Sequence, residues 1–129
     1  MTALYAALLA LLTCILSMAV IGSRGNPAFT FIAVGRGDDE LLQRAIRAHG
    51  NSTEYVPTIL IVFYFLKTTC LSMGHLHALT TAFLAGRVMH AICMGFMRSS
   101  MPLRVWGTAL TCLPLLTTAM ALLRQVLLL

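Results

Sequence analysis

The sequence predicts an all-α integral membrane protein, a four-helix bundle with up-down topology that occupies residues 1–129 as a single domain. Two observations lead to this fold class. Hydrophobic residues make up 59% of the chain and charged residues only 10%, whereas soluble domains carry about 25% charged residues. In addition, four apolar stretches are long enough to cross a bilayer, which takes about 20 helical residues.

The predicted spans cover residues 3–22, 53–72, 78–97 and 103–123. We expect helices because backbone groups in lipid must be hydrogen-bonded within their own segment. The first span carries no charge and lacks the basic leading segment of a signal peptide, so we interpret it as a retained span.

The longest connection links the first two spans and changes character along its length. Its first half is rich in glycine, which favours loops. In its second half, Asp38 or Asp39 can cap a helix that begins near Glu40, with the acids at the positive end of the helix dipole. We expect this helix to run directly into the second span, where Pro57 favours a kink.

The distribution of basic residues predicts the orientation. The net charge of +5 does not indicate a nucleic-acid partner, because the basic residues lie mainly between apolar runs. The positive-inside rule places the two arginine-rich loops in the cytosol and both termini outside. The arginines of those loops are Arg24, Arg36, Arg44, Arg47, Arg98 and Arg104.

A polar stripe marks the second helix. Its members follow one another at steps of three, four, three and four residues, which places them on one helical face. They are Arg44, Arg47, Asn51, Glu54 and Thr58. A solvated helix end would explain Arg44, but Glu54 adjoins an apolar run. Charged groups at that depth are costly and usually functional.

A second stripe, Arg87, His90 and Met94, lies in the third span and continues to Arg98. Arg87 remains charged at ordinary pH, so it needs a partner, and Glu54 or an anionic ligand is the obvious candidate. The alternative is a structural ion pair that only fixes helix packing. His90 can bind a ligand or merely a neighbouring helix.

The polar groups together predict the chemistry of a ligand. Guanidinium groups pair with carboxylates through charge-assisted hydrogen bonds, so we expect a small zwitterion rich in carboxylates, such as glutathione. A metal site is not predicted, since the cysteines form no CxxC motif and are interpreted as packing residues. They are Cys14, Cys70, Cys93 and Cys112.

Three segments carry a resemblance to a known family. They are RAIRAHGNSTEYVP at residues 44–57, GRVMHA at 86–91 and PLR at 102–104. Their order and spacing resemble the membrane-associated proteins in eicosanoid and glutathione metabolism, the MAPEG family. The acid-capped first loop and the short outer turn are typical of bacterial members, so we expect a bacterial inner membrane location.

The resemblance implies a homotrimer with glutathione as co-substrate, bound between subunits, and a lipophilic electrophile or hydroperoxide as second substrate. By that resemblance, the residues that hold glutathione are Asn51, Glu54, Arg87 and His90, joined from the loop side by Arg47 and Arg24. Arg104 would stabilise the thiolate, which is the nucleophile. Arg98 competes for this role because the third loop is one residue longer than in microsomal prostaglandin E synthase.

The sequence departs from the family pattern at three positions. Gly50 and Met94 stand where animal members often have Arg and Tyr, and Val105 stands where the prostaglandin synthase has Ser. These departures favour a general glutathione transferase over eicosanoid synthesis. Two alternatives stay open: a MAPEG scaffold with reduced or lost catalysis, and a small multidrug transporter.

Overall fold

The computed structural model describes residues 2–33, 38–67, 71–97 and 100–128. Within these ranges the chain is helical and contains no β-strand, which confirms the all-α prediction. The long helices are α1 (Thr2–Ser23), α2 (Asp39–Lys67), α3 (Met73–Ala91) and α4 (Met101–Leu127). A short 3₁₀ helix, Pro27–Ile32, follows α1, and one π-helical turn, Ile92–Phe96, extends α3.

Three of the described helices are long and apolar enough to cross a membrane: α1, α4, and α3 together with its π-helical turn. The helix α2 is not among them. Its described apolar part, from Val56 to Leu66, is shorter than the roughly 20 residues of a bilayer crossing. The predicted second span, 53–72, also includes residues 68–70, which lie outside the described ranges.

The start of α2 agrees with the prediction. The side-chain Oδ1 of Asp38 accepts hydrogen bonds from the backbone N–H groups of Glu40 (3.0 Å) and Leu41 (3.2 Å), so Asp38 supplies the cap. The helix then continues through Pro57 to Lys67. The polar loop-side segment and the following apolar segment therefore form one helix, as expected.

The start of α3 differs from the prediction. The helix begins at Met73, five residues before the predicted position, because the side chain of Ser72 caps it by accepting a hydrogen bond from the backbone N–H of His75. His75 and His77 therefore lie in the first turns of α3.

Two glycines bring α3 and α4 into close contact. A Cβ atom on Gly86 would lie 2.7 Å from the backbone carbonyl carbon of Leu110, and one on Gly107 would lie 2.9 Å from the backbone nitrogen of His90. Larger residues at either position would force the backbones apart. The same pairings show that α3 and α4 run antiparallel, and they set His90 directly against α4.

The buried side of α2 packs on the other helices, and the polar stripe runs along one edge of that side. The buried residues of α2 are Ala45, Ala48, Ser52, Val56, Ile59, Phe63 and Leu66. Glu54 and Thr58 are exposed, and Arg44 and Asn51 are partly buried. Burial of the apolar side thus fixes the direction in which the polar stripe faces.

Candidate functional site

An open cleft of about 330 Å³ lies where the start of α2, the π-helical turn and the start of α4 meet. We call it the arginine cleft. Its lining residues are Glu40, Gln43, Arg44, Arg47, Cys93, Met94, Ser100, Met101 and Arg104. Ligand pockets in proteins typically measure about 300–1,000 Å³, so the cleft suits a small ligand, and three guanidinium groups make it suitable for an anion.

Hydrogen bonds tie the three walls of the arginine cleft together. Arg44 donates through Nη2 to the backbone carbonyl of Cys93 (2.8 Å). The Cys93 thiol donates to the backbone carbonyl of Ser100 (3.2 Å), just before α4. Arg47 and Arg104 have exposed side chains. Arg44 therefore helps to hold the cleft in shape, while Arg47 and Arg104 are accessible to a ligand.

A smaller cavity of about 80 Å³ lies further along the bundle, between α2, α3 and α4. We call it the deep cavity. It is lined by Asn51, Tyr55, Arg87, His90, Thr108, Thr111 and Cys112. Asn51 lies one helical turn beyond Arg47 on α2, and Thr108 lies one turn beyond Arg104 on α4. Polar side chains therefore lead from the cleft into the cavity over about 10 Å.

Arg87 is the most distinctive residue of the deep cavity. Its side chain is only 1% exposed, and its guanidinium carbon lies 5.8 Å from the centroid of the Tyr55 ring, a cation–π distance. Its Nε and Nη2 atoms have no hydrogen-bond partner within the described residues. A buried polar group without a partner costs about 1–3 kcal/mol, so these donors call for an acceptor.

His90 shares this property. It is 7% exposed, and its Nδ1 atom is buried without a hydrogen-bond partner in the described part of the chain. His90 and Arg87 lie one turn apart on α3 and line the same cavity. Two neighbouring polar side chains are thus held in place by packing and leave bonding capacity for a ligand.

The structure brings most, but not all, of the predicted site residues together. Asn51, Arg87 and His90 line the deep cavity, and Arg47 and Arg104 line the arginine cleft.

Two predicted residues lie apart from these groups. Glu54 is exposed on α2 and lines neither cavity, and within the described residues it forms no ion pair with Arg87. Arg24 is exposed after the end of α1 and also lines neither cavity. Arg98, the rival to Arg104, lies outside the described residues.

Sequence reasoning missed several lining residues that helical spacing could have found. Thr108 and Thr111 follow Arg104 at steps of four and three, and Cys112 follows Thr108 at a step of four. These steps place all of them near one face of α4. Tyr55 gave no such signal, because its position against Arg87 depends on how α2 packs on α3.

An all-helical chain with apolar, bilayer-length helices and a polar site between them is a small integral membrane protein. The comparison with family models identifies the family of membrane proteins to which the chain belongs. The MAPEG family model matches residues 2–124, and the chain belongs to the MAPEG family. The family resemblance of the sequence motifs is therefore confirmed.

Two curated relatives are similar to the chain. They are the inner membrane protein YecN of Escherichia coli strain K12 and of Escherichia coli O6:H1, each 37% identical over 89 residues. The alignment covers 69% of this chain and 66% of each relative, slightly less than two thirds of their length. Their name agrees with a membrane location. No solved structure matches the chain significantly.

Proposed function

We propose that the chain is a membrane-embedded glutathione transferase that adds the thiolate of glutathione to lipophilic electrophiles. The observation that carries the proposal is the polar path between α2, α3 and α4. It begins at the accessible guanidinium groups of Arg47 and Arg104 and ends at Arg87, whose buried donors lack partners among the described residues.

The charges along this path favour a ligand with excess negative charge. Among the described lining residues, four guanidinium groups are accompanied by a single carboxylate, that of Glu40. The guanidinium groups are those of Arg44, Arg47, Arg87 and Arg104. Glutathione carries two carboxylates, one ammonium group and a thiol, so its net charge complements the site. Arginine binds carboxylates through paired hydrogen bonds, and Asn51 and Thr108 add neutral hydrogen-bonding groups.

The proposed reaction uses Arg104 to stabilise the glutathione thiolate. A nearby cation favours the thiolate over the thiol, and the thiolate is the nucleophile. The sulfur attacks an electrophilic carbon of the second substrate and a new S–C bond forms. In a substitution the bond to the leaving group breaks and its electron pair departs with that group. In an addition to an activated double bond the π bond breaks and the resulting carbanion takes up a proton. With a hydroperoxide instead, two molecules of glutathione give the disulfide, an alcohol and water.

The proposal includes four spans in up-down order, with α2 as the second span and both termini outside. The antiparallel packing of α3 and α4 supports this order. It also includes a homotrimer with sites between subunits. Glu54 is exposed on the side of α2 that faces away from its own bundle, so it is available to a site completed by a neighbouring copy.

Binding and ultraviolet difference spectroscopy test the proposal on the purified full-length protein in detergent. We expect glutathione to bind measurably by calorimetry and to give the absorbance of a bound thiolate. Arg104→Ala should abolish the thiolate signal while binding survives. Arg124→Ala, an exposed arginine at the opposite end of α4, is the matched control. A full thiolate signal in Arg104→Ala would assign the role to another residue.

A scaffold without catalysis is the second candidate, favoured by the structural use of Arg44 at Cys93. A ligand that binds the folded state raises its stability in proportion to the logarithm of ligand concentration. A scaffold would show no glutathione-dependent rise in melting temperature. The transferase should show one, and Glu54→Gln should reduce it, whereas Asp39→Asn, at the start of α2, should not.

A further inference from the structure

Cys112 lies at the inner end of the polar path and takes no part in the proposed transferase reaction. It is an exposed free thiol on α4 and lines the deep cavity together with Arg87 and His90. Reactive cysteines occur in electropositive, partly exposed surroundings, whereas cysteines buried among apolar groups are inert. Cys112 combines exposure with a neighbouring cation.

The cavity itself points to a group that is to be bound beside this thiol. Arg87 is 1% exposed, and its Nε and Nη2 atoms lack partners within the described residues. The same holds for Nδ1 of His90. A cavity of about 80 Å³ holds a few water-sized groups. It has room for the polar head of a reactant but not for a hydrocarbon chain.

We propose that Cys112 is a redox site, oxidised by a lipid-soluble hydroperoxide and then captured by a small thiol as a mixed disulfide. The oxidant is assigned to the lipid phase because Cys112 lies about 16 Å along α4 from Met101 and is followed by the exposed apolar residues Leu113 and Leu116. The choice of glutathione as the capturing thiol rests on the proposed function, whereas the oxidation step does not.

The chemistry proceeds in three balanced steps. The sulfur of Cys112 attacks one oxygen of the hydroperoxide, an S–O bond forms, the O–O bond breaks, and the thiol proton leaves with the alcohol. The resulting sulfenic acid condenses with a thiol to give a mixed disulfide and water. A second thiol exchanges with this disulfide, releases a low-molecular-weight disulfide and restores Cys112.

Arg87 and His90 suit the first of these steps. The oxygen that departs from the hydroperoxide develops negative charge, and the unpaired donors of Arg87 can hydrogen-bond it. Hydrogen bonds to charged groups are stronger than those between neutral ones. No other described cysteine has this setting: Cys93 is buried, and Cys14 is exposed on α1 and does not line the deep cavity.

Cys14 is a matched control within the same molecule. It lies about 14 Å along α1 from Ser23, and Cys112 lies about 16 Å along α4 from Met101. Both thiols are exposed in apolar helices, so a lipid-soluble reagent meets both at comparable distances from the helix ends. A difference in their rates therefore reports the local surroundings and not access.

The test treats the full-length protein in lipid nanodiscs with cumene hydroperoxide and then with glutathione, and follows each cysteine by peptide mass mapping. We expect the modification rate of Cys112 to exceed that of Cys14 by at least about tenfold, because hydrogen bonds from Arg87 stabilise the departing oxygen. Equal rates would overturn the proposal. Arg87→Met should slow Cys112 to the rate of Cys14 and leave Cys14 unchanged. If this variant does not fold, the comparison within the wild-type protein decides alone.

Two further measurements separate this inference from the proposed function. In the first measurement, cysteamine replaces glutathione, and the capture of oxidised Cys112 is compared for the two thiols. In the second measurement, calorimetry determines whether the protein binds glutathione. Fast oxidation of Cys112 with equal capture by both thiols, and no glutathione binding, would support the redox site and refute the transferase. Glutathione binding with Cys112 as slow as Cys14 would support the transferase and refute the redox site.

Discussion

The two ends of the helix bundle differ in how far their polar side chains are hydrogen-bonded. At one end, Tyr5 of α1 joins α3: its hydroxyl lies 2.7 Å from Oγ1 of Thr81 and 3.4 Å from Nδ1 of His77. We call this the tyrosine end. At the arginine end, which holds the cleft and the deep cavity, Arg87 and His90 keep buried nitrogen atoms without partners in the described residues.

The contrast shows how to separate structural from functional polar groups in this bundle. Nearly all buried polar groups in folded proteins are hydrogen-bonded, so each exception needs an explanation. The hydroxyl of Tyr5 has partners on the neighbouring helix and serves to hold α1 against α3. The unpaired donors of Arg87 form no hydrogen bond that would stabilise the fold, and a bound ligand, such as the proposed glutathione, would supply their acceptors.

The largest effect is expected from Arg87→Met. Glutathione affinity should fall by about 1.5–3 kcal/mol, since hydrogen bonds to charged groups are lost. The melting temperature without ligand should not fall, because removing a buried charge that has no ion-pair partner offsets the loss of its contact with the Tyr55 ring. Calorimetry and thermal unfolding measure the two quantities, with Arg124→Met as the control. Loss of stability with unchanged affinity would place Arg87 with the structural groups of the tyrosine end.

A smaller effect is expected from Gly86→Ala, which probes the helix spacing behind the deep cavity. Its Cβ would meet the backbone of Leu110 at 2.7 Å, and overpacking typically costs about 1–3 kcal/mol. Gly50→Ala is the matched control, since a Cβ there meets nothing within 4 Å. Thermal unfolding should show a lower melting temperature for Gly86→Ala alone. Equal melting temperatures would mean that α3 and α4 adjust their spacing freely.

The smallest effect is expected from Tyr5→Phe at the tyrosine end. It removes the hydroxyl that contacts Thr81 and His77, at a cost of about 0.5–1.5 kcal/mol in unfolding free energy. Glutathione affinity should stay unchanged. Tyr64→Phe, on the exposed side of α2, is the control. A change in affinity for Tyr5→Phe would show that the two ends are coupled and would break the comparison.

Features governed by local chemistry were predictable from the sequence. The length of the apolar runs gave the bounds of α1 and α4 to within a few residues, because a bilayer crossing sets that length. The sequence predicts a cap at Asp38 or Asp39, because a short acidic side chain can reach the first free N–H groups, and Asp38 supplies it. The steps between Arg47 and Asn51 placed them along one face of α2, where they line the cleft and the cavity.

Features governed by packing between helices were not predictable from the sequence. The contact of Tyr55 with Arg87 depends on the approach of α2 to α3, and the deep cavity depends on the close contact at Gly107. Glu54 lies on the predicted face of α2, yet helical spacing cannot show whether that face packs against another helix of the same chain. Its exposure is a property of the assembled bundle.

The π-helical turn at Ile92–Phe96 allows the end of α3 to hold one residue more than an α-helical turn would. A π-helix bonds each N–H to the fifth preceding residue and an α-helix to the fourth, so the wider turn takes up one additional residue. Each residue of α-helix advances the side chains by about 100°. Deleting one residue from this turn would rotate the side chains of Cys93 and Met94 away from the arginine cleft, while the membrane spans would keep their positions in the bilayer. A change in the length of this turn would thus alter the lining of the arginine cleft.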